Sequence, residues 1–259
     1  MSSNPLLSKL HTPGSTFKLP SGGLFYTNGE LTPDVQDGEV HVQPMTAYDE
    51  ILLKSPDMLF SGQGVVKVFE RCIPQIKNPL GLLAKDVDFL MACLHHVTYG
   101  ASLDVTYKHT CENAKSHTYI IDLNQVLKGT KLIDPTTAST IYHETMPNGQ
   151  VVAFEPVRYN TIITFLQKMD QSNNKTPEAE HESMLDALCS IIKKVDDTED
   201  PTMIREWLKA VSAAYIKHIQ SVMERIADWG PDFIVETKCK DCGEHFDLSL
   251  PLNPISFFI

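Results

Sequence analysis

Hydrophobic positions along this chain follow two periods, and the changes of period mark its elements. Glu39-Val40-His41-Val42-Gln43 alternates polar and apolar residues as a half-buried strand does, and stops at Pro44. Thr46 then stands where a helix needs its N-cap, with Asp49 and Glu50 in the first turn. Spacings of three and four predict helices over about 46–55, 62–73 and 86–98. The last carries Val87, Leu90, Met91, Leu94 and Val97 on one side, between Asp86 as N-cap and Gly100 as stop. Alternation returns in Asp104 to Lys108 and Tyr119 to Leu123, and again in Thr140 to Glu144 and Val151 to Phe154. The second of these pairs is joined through Asn148-Gly149, a dipeptide that readily takes the positive φ of a hairpin turn.

Helical spacing resumes over 159–169, over 178–195 with Met184, Leu185, Leu188, Ile191 and Ile192 on one side, and over 202–229 as one helix or two ended by Gly230-Pro231. Gln171 to Pro177 and the acidic Asp196 to Pro201 separate these segments as loops. Phe233 to Thr237 and Phe246 to Leu250 form a last hairpin. Each half therefore runs as helices followed by a hairpin, a pattern of the α+β class. The expected divisions are an extended arm over 1–24, a first helix-plus-hairpin half over 25–132, and a second half over 133–259.

The two hairpins share their chemistry. Cys239-Lys-Asp-Cys242-Gly-Glu-His245 occupies the bend of the last one, and Cys111-Glu-Asn-Ala114-Lys-Ser-His117 repeats it imperfectly in mid-chain, with Ala114 in the slot of Cys242. Cys-x-x-Cys at a strand turn sets two thiolates on one side of the backbone at a separation suited to tetrahedral Zn²⁺, which takes four Cys or His ligands in structural sites. The first copy can supply the missing pair. The expected set is Cys111, His117, Cys239 and Cys242, with His109 able to replace His117 because alternate strand residues share a face, and His245 as a further substitute. Coordinate bonds between segments so far apart in sequence would stabilise the fold, so the site reads as structural. Glu112 and Glu244 lie in the turns, where solvating charge is ordinary. The competing reading is that Ala114 records a lost site, leaving Cys111 as a free thiol. A redox Cys-x-x-Cys opens a helix after a strand, whereas Gly243-Glu-His-Phe-Asp-Leu continues as a strand.

Composition narrows the remaining classes. With 259 residues, 42% of them hydrophobic, the chain can bury a substantial core as one large domain or two small ones. Its apolar runs are far shorter than the roughly 20 residues that span a bilayer, and Met1-Ser-Ser-Asn-Pro lacks the basic start and apolar run of a secretory signal. Four cysteines stand outside any tight pair (Cys72, Cys93, Cys111, Cys189), which suits a reducing compartment without disulfides. A net charge of −11 argues against nucleic acid as a partner. No phosphate-binding glycine loop, nucleophile elbow or His-Glu-x-x-His occurs, and His95 and His96 diverge by about 100° on their helix, so no enzyme is expected. The acidic run at Asp196 lacks the spacing of a calcium loop. Residues 1–24, rich in Pro, Ser, Gly and Thr with a short apolar segment at Leu6, Leu7 and Leu10, cannot fold alone. Phe17 to Tyr26 carries enough β-forming and aromatic residues to order against the body or a neighbouring subunit.

The order of segments also carries a resemblance. Leu19-Pro-Ser-Gly-Gly-Leu-Phe-Tyr26, Gly38-Glu-Val-His-Val-Gln-Pro-Met-Thr-Ala-Tyr-Asp-Glu-Ile-Leu-Leu53, Gly62-Gln-Gly-Val-Val-Lys-Val-Phe-Glu-Arg-Cys-Ile73, the helix from Lys85, Tyr99-Gly100 and the first Cys hairpin follow one another as in the baseplate hub family of T-even-type contractile-tailed bacteriophages, which this chain resembles over about residues 17–125. The second half resembles it mainly through its knuckle. The resemblance implies a non-enzymatic component of a phage tail baseplate, in the hub or an adjoining wedge, made in the host cytoplasm and retained in the virion tail in multiple, symmetrically arranged copies. It would dock to other tail proteins through its arm and its apolar Pro254-Ile-Ser-Phe-Phe-Ile259. An assembly chaperone absent from the finished virion is the first alternative, and a metal-dependent hydrolase using the same ligands at an open metal position the second.

Overall fold

A computed structural model describes residues 13–55, 58, 61–112, 114–171 and 177–250. The apolar Pro254 to Ile259 and the Leu6, Leu7 and Leu10 segment lie outside these residues. No helix among them is long and apolar enough to cross a membrane.

The segment expected as an arm joins the body from Ser15. Strand β1 (Ser15–Lys18) pairs antiparallel with β2 (Glu39–Val42), and Leu19 is fully buried. The return between them requires glycine at Gly38: its φ is +73°, and an added Cβ would stand 2.6 Å from the carbonyl carbon of Gly22. Helix α1 (Ala47–Lys54) begins at Thr46 with a capping box closed by Asp49, and Asp49 also ion-pairs with Arg71 of α2 (Gln63–Cys72). Helix α3 (Ala84–Tyr99) starts two residues earlier than its sequence suggests, with Leu83 as N-cap. Asp86 is no cap. Its carboxylate turns inward, where it accepts hydrogen bonds from Ser21 N–H at 3.0 Å, Ser21 Oγ–H at 2.5 Å and Tyr26 O–H. The 19–26 segment is thus fastened to α3 through one buried carboxylate.

Strands β3 (Ser102–Lys108) and β4 (Ser116–Asp122) form the first knuckle hairpin, and α4 (Leu123–Lys128) follows, capped by Asp122. Strands β5 (Tyr142–Thr145) and β6 (Val151–Phe154) form the second hairpin around Asn148-Gly149, with helices α5 (Tyr159–Gln171) and α6 (Pro177–Ile191) after it. The helix expected to run to 195 stops at Ile191. Ile192–Val195 form β7 instead and pair with β6 in a three-stranded sheet. The short apolar run at Ile191 to Val195 fits either period, and the open edge of β6 decides between them. Helices α7 (Pro201–Ala210) and α8 (Ala213–Ile226) resolve the 202–229 segment into two, because Ser212 caps a new start. Strands β8 (Ile234–Lys238) and β9 (His245–Ser249) form the last hairpin.

Two main cores result. The first gathers Leu19, Val40, Val68, Phe69, Leu90, Leu94, Tyr119 and Ile121, and it also takes Phe233, Leu248 and Leu250 from the far end of the chain. The second joins Val152, Phe154, Leu185, Leu188, Ile204 and Ile219. Between them Phe25, Leu83, Ile133 and Trp229 form a small apolar cluster. Arg158, bonded to Gly81 O at 2.5 Å and ion-paired with Glu155 and Glu30, ties the second half to the first. The return of β8–β9 to the first core brings the two knuckles face to face.

Candidate metal centre

Register fixes what each knuckle presents. In the first, Tyr107 stands opposite His117 and Lys108 opposite Ser116, so the Cys111 turn projects beyond the paired strands. In the second, Lys238 stands opposite His245, and the bend between them is closed by Cys239 N–H to Glu244 O at 2.8 Å and Gly243 N–H to Cys239 O at 3.0 Å. Gly243 has a φ of +76°, a turn position that suits glycine. Both cysteines of the second bend therefore face the same way.

They meet the first knuckle. His109, Cys111, Cys239 and Cys242 place one ligand atom each within 4.8 Å of the others. The Sγ atoms of Cys111 and Cys239 lie 3.9 Å apart, and Cys242 Sγ lies 3.7 Å from His109 Nδ1. A tetrahedron with Zn–S of about 2.3 Å and Zn–N of about 2.0–2.1 Å has S···S edges of about 3.8 Å and S···N edges of about 3.6 Å. The donor set and its spacing therefore fit Zn²⁺.

Local electrostatics favour a cation here. The Cys242 N–H aimed at the Cys239 sulfur, joined by that of Asp241 and by the neighbouring thiols, outweighs desolvation and lowers Cys239 to about 6. Desolvation and then the adjacent thiols push Cys111 up to about 11. Without a cation, one thiolate is poised among groups that resist a second negative charge. A divalent ion would relieve that conflict.

His117 is not in this group. Its Nε2 lies 2.9 Å from Asp241 Oδ1, and the other carboxylate oxygen accepts Lys115 N–H at 2.9 Å. The physical reason is reach: His117 sits within the paired part of β4, and Asp241 of the opposing bend meets it first. His109 lies past the end of β3, level with the thiols. His245 points elsewhere, to Glu236 Oε1 at 3.0 Å. His95 and His96 diverge as their helical spacing requires, toward Tyr99 and Asn124 respectively.

Further contacts hold the knuckles together, and sequence reasoning missed them. Phe246 stacks on Tyr107 with ring centroids 5.3 Å apart, packs at 4.7 Å against His109, and meets Tyr119 edge-on at 5.8 Å. Lys240 donates to Thr118 O at 2.5 Å with its ammonium 5.1 Å from the Tyr119 ring centroid. The signal for this aromatic clamp was present as period-two spacing of Tyr107 and His109, but their partner lies on another hairpin.

Comparison with known proteins bears on what the centre serves. No curated protein and no solved structure matches the chain. A family model described as T4 bacteriophage base plate protein matches residues 14–259, a span that contains both cores and both knuckles. The chain belongs to the T4 bacteriophage base plate protein family.

Proposed function

We propose that this protein is a non-enzymatic structural subunit of the tail baseplate, in the hub or an adjoining wedge, and that a Zn²⁺ ion staples its two knuckles. The family match over residues 14–259 carries the baseplate role. The zinc reading rests on the four-donor group, with His109, Cys111, Cys239 and Cys242 as ligands and His117 bracing the second bend through Asp241. When bound, the ion would supply coordinate bonds between segments separated by 128 residues. Four protein donors fill a tetrahedron, which leaves no open position for substrate and suits a structural ion. Surfaces around this rigid body dock to other tail proteins, and the subunit stays in the finished virion.

Quantitative mass spectrometry of purified tails tests the role. A fixed number of copies per tail is expected; absence from finished tails, with presence in assembly intermediates, would assign the protein to assembly alone.

A further inference from the structure

Where the two halves meet, the first turns of α3, the end of β6 and the end of α8 enclose a cavity of about 220 Å³. Phe154, Val157, Ile162, Met223, Ile226 and Trp229 give it apolar walls. One half-buried charge stands among them without a partner: no donor among the described residues hydrogen-bonds or ion-pairs with Asp88. Burial raises its carboxyl to about 6, opposed through space by Lys85 on the same wall. Glu155, the other carboxylate of the cavity, is engaged by Arg158 at 3.2 Å and Lys193 at 2.6 Å. The conflict at Asp88 is therefore specific, because a carboxylate in apolar surroundings costs free energy until a cation or strong donor reaches it.

The volume lies below the roughly 300–1,000 Å³ of small-molecule sites, a scale that suits a single side chain. An apolar wall bearing an aromatic ring and ending in a carboxylate asks for methylenes below and a planar cation above. Arginine meets each requirement: its stem packs on apolar surface, its guanidinium sheds water more readily than an ammonium and stacks on rings, and it grips a carboxylate with two parallel bonds. None of the residues outside the described set is an arginine, so the chain cannot supply the group from those segments. We propose that this cavity is an anchor pocket for an arginine side chain of a neighbouring tail protein, with the guanidinium on Asp88 and the stem between Val157, Ile162 and Trp229. That the neighbour is a tail protein rests on the baseplate role proposed above; the chemistry of the pocket does not.

The two parts separate in the test. N-acetyl-L-arginine amide titrated into the full chain, followed by the Trp229 indole resonance, should bind with a millimolar Kd. Asp88→Asn should weaken it about ten- to a hundredfold, as loss of a charge-assisted pair does. N-acetyl-L-norleucine amide should bind more weakly than the arginine probe in the wild type and equally in Asp88→Asn. Ala84→Leu, which fills the cavity from its wall, should abolish binding of either probe. An unmoved Trp229, or equal binding of both probes to the wild type, would overturn the pocket. A diazirine-bearing lysine analogue in place of Lys85, whose long side chain already lines the cavity, should then link in infected cells to an arginine-containing peptide of another tail protein. Absence of such a link, at wild-type yield of particles containing the subunit, would overturn the assigned partner while leaving the baseplate role intact.

Discussion

Asp241 lies 2.9 Å through Oδ1 from His117 Nε2, while its Oδ2 accepts Lys115 N–H at 2.9 Å, so one carboxylate between the two cysteines of the last bend holds the opposing hairpin at both a side chain and the backbone. The knuckles are thereby pre-aligned by hydrogen bonds before any ion contributes. The Lys115 N–H favours the ionised carboxylate, as to a lesser extent does the His117 bond, and both hold Asp241 below the usual carboxylate range.

Metal stoichiometry is the first consequence. Native mass spectrometry should find one zinc per chain, and Cys111→Ala or Cys239→Ala should remove it and lower Tm by more than about 5 °C. Zinc-free wild-type protein with an unchanged Tm would refute the staple.

The two histidines should separate. His109→Ala is expected to lose the metal or weaken its affinity by at least about tenfold, whereas His117→Ala should retain one ion per chain and loosen only the Asp241 contact. Inductively coupled plasma measurements on both variants decide, and the reverse pattern would restore His117 as ligand.

Truncating the aromatic clamp should reach the same site from behind. Phe246→Ala is expected to destabilise the protein by about 2–4 kcal/mol, read from denaturant unfolding, because the ring packs against Tyr107, His109 and Tyr119. Zinc dissociation monitored with a chromogenic chelator should also quicken, since His109 loses the ring that orients it.

Asp86 sets a pH dependence elsewhere. Burial raises its carboxyl from 3.8 to about 6 against the hydrogen bonds from Ser21 and Tyr26. A folded-state pKa above the unfolded one means that its contribution is fully present below about pH 4 and is lost as pH rises through about 6. Asp86→Asn keeps the acceptor for Ser21 N–H and removes this titration. Its Tm relative to wild type should therefore climb between pH 4.5 and pH 7, corresponding to on the order of 2–3 kcal/mol. A difference that stays flat over that range would show that Asp86 does not titrate there.

Local chemistry was readable in the sequence wherever it was also local in space. Thr46 with Asp49 closes the capping box that its spacing predicts, and both knuckle hairpins form around their cysteines. Three features were not readable because a distant segment decides them. Asp86 looks like a cap until Ser21 and Tyr26 arrive from the N-terminal segment, Ile192 to Val195 read as helix until β6 offers an edge, and no spacing within either hairpin pairs His117 with Asp241 of the other. In the four-donor group, the closeness of Cys111 to Cys239 and Cys242 agrees with the echo of one turn in another. The choice between His109 and His117 depends on how the two hairpins cross, which no spacing within either one specifies.

The incorporation of Phe233, Leu248 and Leu250 into the first core has a consequence for synthesis. A ribosome adding about 5–20 residues per second reaches Leu248 about 6 to 25 s after Val126, so the N-terminal half must wait, partly unsealed, for side chains not yet translated. During that interval Tyr119 and Ile121 lack part of their final cover, and a chain released early would keep that apolar surface open to chaperones and proteases. Only a chain translated through Leu250 closes the first core, so any truncation before the last hairpin marks itself by the apolar surface it leaves open.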